Sequence, residues 1–495
     1  MNHVDHLVIG AGFAGVCAAI KLSEDGEDNF LVIEKDSGVG GTWRANDYPG
    51  AACDVPSHLY SFSFAPNPDW SMAFSQQPEI QAYIERVAAE ADILDRFRFG
   101  VAAQHAHWDE EALHWVVDLS DGTTVTATTL ISGSGGLSEP KLPDIDGIDT
   151  FAGEVFHSAR WNHDVDLGGK RVAVIGTGAS AIQIIPELQK VAGHVDVYQR
   201  TAPWVIPRND RRYTGLEKFV FRHVPLLQRL SRTAIYWGRE LYVPAFTRNP
   251  KLAWPALQLA KANIARGIKD PALRAKVTPD FAIGCKRILI SNTYYPALGS
   301  ANVEVVTDPI AKVTGDAVVT ADGVERPIDV LVVATGFHTT EQPIAEHIVG
   351  RGGATLADTW RTSGQCAYKG TTVAGFPNLF QIVGPNTGLG HSSMVFMIES
   401  QVAYVRDAIR TMRRRGYAAI EPHRDVQVAW NEDLQEKMGP TVWNTGGCAS
   451  WYLDEHGRNT TLWPGATFTF RRLLSRFDPE NYAVVPAHEK EEAIA

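Results

Sequence analysis

The 495-residue chain has no run of 18 apolar residues, so it offers no segment able to cross a bilayer as a helix. Its five cysteines, at 17, 53, 285, 366 and 448, are scattered and odd in number. They form no CxxC or CxxxxC pair, which speaks against a disulfide reductase and for a reducing, cytoplasmic compartment. A cleavable leader is not expected either, because the first apolar run, His6-Leu7-Val8-Ile9, leads directly into a glycine-rich turn that cleavage would remove. Positive charge is not in excess: the formal net charge is −11, and neither a nucleic-acid partner nor a metal is expected. A chain of this length suggests about three domains with sizeable cores.

What the chain does have is two glycine-rich turns of one design. Gly10-Ala11-Gly12-Phe13-Ala14-Gly15 follows the first apolar run and precedes Val16-Cys17-Ala18-Ala19-Ile20-Lys21-Leu22, which has helical spacing. A strand, a tight turn and a helix in this order let a pyrophosphate approach unpaired N–H groups at a helix N-terminus. The next apolar run, Phe30-Leu31-Val32-Ile33, ends in Glu34, nineteen residues beyond Gly15, where an acid can bond both ribose hydroxyls.

The second turn, Gly176-Thr177-Gly178-Ala179-Ser180-Ala181, follows Arg171-Val172-Ala173-Val174-Ile175. Arg200, before Thr201, stands nineteen residues beyond Ala181, so the spacing repeats with the charge reversed. A carboxylate there would repel a ribose 2′-phosphate, whereas a guanidinium binds it through charge-assisted bonds of about 1.5–3 kcal/mol each. The first site therefore suits FAD and the second NADPH.

Each half has a later strand ending in small residues, Thr129–Gly136 and Val330–Gly336. A third apolar run, Leu379–Asn386, with a helix from about Ser393, returns the chain to the FAD domain. The fold expected is α/β, with two dinucleotide-binding, Rossmann-like domains and a helical insertion in the NADP domain. The segments are 1–142 (FAD domain), 143–210 (linker and NADP domain), 211–280 (helical insertion), 281–378 (NADP domain) and 379–495 (FAD domain and a mobile loop). Between Arg211 and Lys276 there are 14 Lys and Arg against 3 Asp and Glu, interleaved with Phe219, Trp237, Tyr242 and Trp254. This insertion reads either as a solvated basic face over an aromatic core or as a surface that grazes anionic membranes.

Between the turns, Phe151-Ala152-Gly153-Glu154-Val155-Phe156-His157-Ser158-Ala159-Arg160-Trp161 matches FxGxxxHxxxW. With Gly40-Gly41-Thr42-Trp43, Tyr48-Pro49-Gly50-Ala51-Ala52-Cys53-Asp54, Cys285-Lys286-Arg287 and Trp451, it resembles the Baeyer–Villiger monooxygenases over nearly the whole chain. Two positions depart: Asn162 stands where the family usually has Pro or Asp, and Ala52 where many members carry Arg.

The resemblance implies insertion of one oxygen atom of O2 beside a ketone carbonyl, through a C4a-peroxyflavin kept anionic by Arg287. Asp54 would orient Arg287, and Lys286 would face the NADPH phosphate. Thr42, Trp43, Asp54 and Tyr60 would touch the flavin cofactor, with Val101 near the adenine and Met394 beside the flavin ring; Trp43 reads equally as a core aromatic. Thr177, Gly178, Ser180 and Gln183 would line the NADPH pyrophosphate, and Trp451 would ride a loop closing over NADP. His157 reads as a structural linker residue rather than a base. Two other readings stand beside this one: a flavin-containing N- or S-oxygenase, and a flavin- and NADPH-binding redox protein that oxygenates nothing.

Overall fold

A computed structural model of the chain describes residues 2–487 except 138, 340 and 341; the remaining positions of the expected segments lie outside the described residues. The first sheet is built on parallel strands Phe97–Phe99, Phe30–Glu34, Asn2–Ile9 and Thr124–Ser132. Strand Leu379–Gln381 pairs in parallel with the end of Thr124–Ser132, and His114–Leu119 and Ala103–Asp109 continue the sheet antiparallel. Side chains alternate between faces at period two. Val8 and Val32 therefore enter the core under helices Phe13–Glu24 and Met394–Arg415, while Leu7, Ile9 and Ile33 enter the core on the other side. Burial on both faces explains why these strands read as unbroken apolar runs.

The second sheet is wholly parallel, in the order Val303–Val306, His194–Tyr198, Arg171–Ile175, Val330–Val333, Glu154–His157. The FxGxxxHxxxW run is thus more than a linker: its centre is the edge strand of this sheet, with Val333 opposite His157. His157 is buried, and its Nδ1 accepts the Ala159 N–H at 3.1 Å. Burial lowers its pKa, which suits a structural imidazole more than a base.

The insertion contains helices Gly215–His223, Pro225–Glu240, Val243–Thr247, Trp254–Gly267 and Pro271–Val277. Trp254–Gly267 packs into the core of the second sheet, whereas Pro225–Glu240 leans on the first domain, where Tyr236 stacks on Phe396 at 5.0 Å. No helix among the described residues is long and apolar enough to cross a membrane.

Candidate active site

At the first turn Gly10 has φ +96°, and a Cβ on Gly15 would lie 1.7 Å from the Gly10 carbonyl oxygen, so both positions need glycine. Gly41, at φ +54°, brings the Gly40–Gly41 loop against Gly12. Gly12, at the N-cap of Phe13–Glu24, contributes no side-chain cap, and neither does Ser180 before Ala181–Val191. Both helix ends thus leave backbone donors to an anion. The Glu34 carboxylate accepts Ala11 N–H at 2.6 Å and Asp36 N–H at 2.9 Å; burial nevertheless raises its pKa. Each carboxylate oxygen keeps a further lone pair for a ribose hydroxyl.

Around this turn, Phe13 and Ala14 are buried, and Tyr60 packs its ring edge-on against Phe13. Trp43 is also buried and donates its Nε1–H to the Tyr60 hydroxyl at 2.9 Å, so it is both a core aromatic and a neighbour of Tyr60. Thr42 is exposed at the start of the short helix Thr42–Ala45. Val101 donates its N–H to the Glu34 carbonyl, and Met394 begins its helix behind the Ser393 cap.

At the second turn Gly176 has φ +120°, Gly178 and Ala179 are exposed, and Thr177 donates its hydroxyl to the Thr201 carbonyl at 2.7 Å. Arg200 is exposed. Lys286 has its pKa lowered by burial and then by the Arg200 charge, so the two cations share one neighbourhood. Gln183 reaches across to the first domain. Its Oε1 accepts from the Tyr48 hydroxyl at 3.0 Å and the Ala52 N–H at 3.3 Å, and its Nε2 donates to the Ala52 carbonyl at 2.9 Å. These bonds tie the amide to the first domain and leave one Nε2 N–H over.

Asp54, from the first domain, pairs with Arg287, from the second. Arg287 Nε and Nη2 donate to the two Asp54 oxygens at 2.6 and 2.7 Å, and Nη1 donates to the Leu389 carbonyl at 3.0 Å. Asp54 raises the Arg287 pKa further. Burial opposes the charge of Asp54, but Arg287, with Arg239 and Arg208, overcomes it and holds the carboxyl below its ordinary range.

The family model described as flavin-binding monooxygenase-like matches residues 5–238. A Baeyer–Villiger monooxygenase of Streptomyces coelicolor is 52% identical over 98% of this chain and 93% of its own length. The chain belongs to the Baeyer–Villiger monooxygenase family. Cyclohexanone monooxygenase from Rhodococcus sp. Phi1, bound to NADP+, superposes with a TM-score of 0.87 at 30% identity, covering 98% of this chain and 100% of that one. OTEMO in complex with FAD and NADP gives 0.88 at 28% identity over 97% and 99%. This Baeyer–Villiger monooxygenase is accordingly an FAD- and NADPH-dependent flavoprotein, and the two uncapped helix ends behind their glycine turns fit those dinucleotides.

The sequence did not reveal how many side chains converge on Asp54. Three consecutive carbonyls of the first domain are each held by a different side chain from the second: Ala52 by Gln183, Cys53 by Arg208 at 2.6 Å and Asp54 by Arg239 at 3.2 Å. Contacts to backbone carbonyls leave no motif to read. Tyr452 was also missed. It is buried beside Arg287 and Asp54 with its pKa pushed up to about 12 by burial, while the expected Trp451 is half exposed and packs edge-on against it. The cysteine expectation needs correction: Cys285 and Cys448, 163 residues apart, form a disulfide, so the support for a reducing compartment falls away. Short-range spacing could not detect a pair closed by the fold.

Proposed function

We propose that the enzyme inserts one oxygen atom of O2 beside a ketone carbonyl to give an ester or lactone. The Asp54–Arg287 pair carries this reading. The cyclohexanone monooxygenase likeness supports a ketone as the substrate class. Bound FAD, reduced by NADPH, supplies the activation of O2. Attack on a carbonyl requires an anionic oxygen nucleophile, and Arg287 is placed to hold that charge because a guanidinium stays protonated at every working pH. Of its five N–H donors, three are engaged by Asp54 and Leu389 among the described residues, which leaves two for the reacting oxygens. Asp54 fixes the fork in place, and Tyr452, buried beside both, limits water at the pair. In this reading Arg200 and Lys286 hold the 2′-phosphate of NADPH, and the loop of half-exposed Trp451 closes over the bound coenzyme, which the shared neighbourhood of Arg200 and Lys286 and the exposure of Trp451 support.

Replacing Arg287 by Ala and by Lys tests this. In Arg287→Ala, ester formation should fall about 100- to 1000-fold, with H2O2 taking its place while FAD stays bound and NADPH is still oxidised. Lys should restore part of the loss. Ester formation at the native rate in Arg287→Ala would refute the assignment, and oxygenation of amines or sulfides but never of ketones would favour the N- or S-oxygenase reading.

A further inference from the structure

Helix Pro225–Glu240 is amphipathic with its faces reversed. Its inward side is polar: Gln228 donates to the Asn67 carbonyl at 2.6 Å, Arg232 to the Ser61 carbonyl at 2.9 Å and Arg239 to the Asp54 carbonyl. Glu240 is buried and accepts the Thr467 N–H. Its outward side is apolar, with Leu226 63%, Leu230 55% and Trp237 52% exposed, followed by Leu241 at 79%. Helix Gly215–His223 packs beside it with Leu216 and Phe219 outward, and Phe468, from the C-terminal part of the chain, lies 5.7 Å from Trp237. Among the described residues, 12 of the 23 exposed large apolar side chains fall between Leu216 and Leu259. So concentrated a set marks a contact surface rather than the scattered exposure of any folded chain.

We propose that this face docks on an anionic lipid surface. Charge complementarity identifies the occupant. Arg229 is exposed between Leu226 and Leu230, and Arg248 and Lys251 are exposed just beyond the helix; none of the three makes an ion pair among the described residues. The whole 211–276 stretch carries 14 basic against 3 acidic residues in a chain that is otherwise acidic, and it stays positive after setting aside Arg232 and Arg239, which turn inward, and Arg211 and Arg222, which pair with Glu217 and Asp69. A second copy related by a two-fold axis would set this basic face against itself, which like charges oppose. A nucleic acid would meet leucine and tryptophan where it needs phosphate contacts. Lipid headgroups and acyl chains match both components, with apolar side chains entering the interface and Arg or Lys above anionic headgroups. The same helix places Arg239 on Asp54 and Tyr236 on Phe396, so the docked face would lie over the catalytic groups and open them to apolar molecules dissolved in the lipid.

Sedimentation of the flavin-loaded, full-length enzyme with phosphatidylcholine vesicles, with and without phosphatidylglycerol, tests this directly. Binding should require phosphatidylglycerol and should vanish at 1 M salt, where the Debye length is about 3 Å. Leu226→Ser with Leu230→Ser should lower the bound fraction at least about tenfold with charge unchanged. Arg229→Glu should lower it about fivefold per charge altered. Both variants lie on the exposed face, and retained flavin with unchanged NADPH oxidation in free solution shows that they fold. Absence of binding at low salt, binding indifferent to phosphatidylglycerol, or leucine replacements that dissolve a dimer without affecting vesicle binding would each overturn the proposal.

Discussion

Gln183 holds the backbone of Ala52 at two points, accepting its N–H at 3.3 Å and donating to its carbonyl at 2.9 Å. Gln183 lies in the first turn of helix Ala181–Val191, which opens the NADP site, and Ala52 lies two residues before Asp54, so this pair ties that helix to the loop carrying Asp54. Each such bond contributes about 0.5–1.5 kcal/mol net. Gln183→Ala should therefore slow anaerobic flavin reduction by NADPH about tenfold, read by stopped-flow absorbance, with FAD content unchanged. An unaltered reduction rate would show that the tie does not align hydride transfer.

Arg239 and Arg208 grip the neighbouring carbonyls of Asp54 and Cys53. Arg239→Met should leave Arg287 charged but poorly placed. The expected result is a lower ester yield per NADPH consumed, about threefold to tenfold, with partial rescue by Arg239→Lys. Product and H2O2 measured in the same reaction would show this, and unchanged coupling would reduce Arg239 to a packing residue.

Coenzyme preference should depend on Arg200. Arg200→Gln is expected to raise the KM for NADPH about 10- to 100-fold while leaving that for NADH nearly constant, because only NADPH carries the 2′-phosphate. Equal weakening of both coenzymes would place the phosphate elsewhere.

His58 is buried where the insertion meets the first domain, between Tyr213 and Phe221, and its pKa is pushed down to about 4 by burial and then by Arg232 and Arg211, with Glu217 opposing. Between roughly pH 4 and 6.5 the unfolded chain binds a proton that the folded chain refuses. The stability contributed by neutral His58 is therefore full above pH 6.5 and is lost as pH falls toward 4, about 2 kcal/mol between pH 7 and 5. Thermal melts of the wild type and His58→Gln across this range should show a shallower pH slope in the variant, and parallel curves would contradict it.

Much of the dinucleotide architecture was legible because it is written in local sequence. Gly10, Gly15 and Gly176 sit where a side chain would strike a carbonyl or a left-handed backbone is needed; Glu34 ends the strand after the first turn, and Arg200 lies two residues past the strand after the second. Asp54 and Arg287 were reached through family resemblance, since no spacing rule links residues 233 positions apart. Arg208, Arg239 and Tyr452 stayed hidden because they act on backbone or by burial. The composition of the insertion revealed a basic, aromatic segment but not which way its side chains face. Of the two readings, an aromatic core beneath a basic face or an aromatic surface, Phe219 and Trp237 point outward, and polar side chains of the same helices turn in toward Asn67, Ser61 and Asp54.

The fate of oxygen tests the roles of Arg287 and Asp54 most directly. Mass analysis of products formed from NADPH, heavy-isotope O2 and a panel of cyclic, linear and aryl ketones measures it directly. The arrangement of Arg287 and Asp54 predicts an ester or lactone carrying one heavy oxygen, with little H2O2. Full consumption of NADPH with H2O2 as the sole oxygen product across the ketone panel, and labelled oxides from an amine or sulfide panel instead, would contradict it.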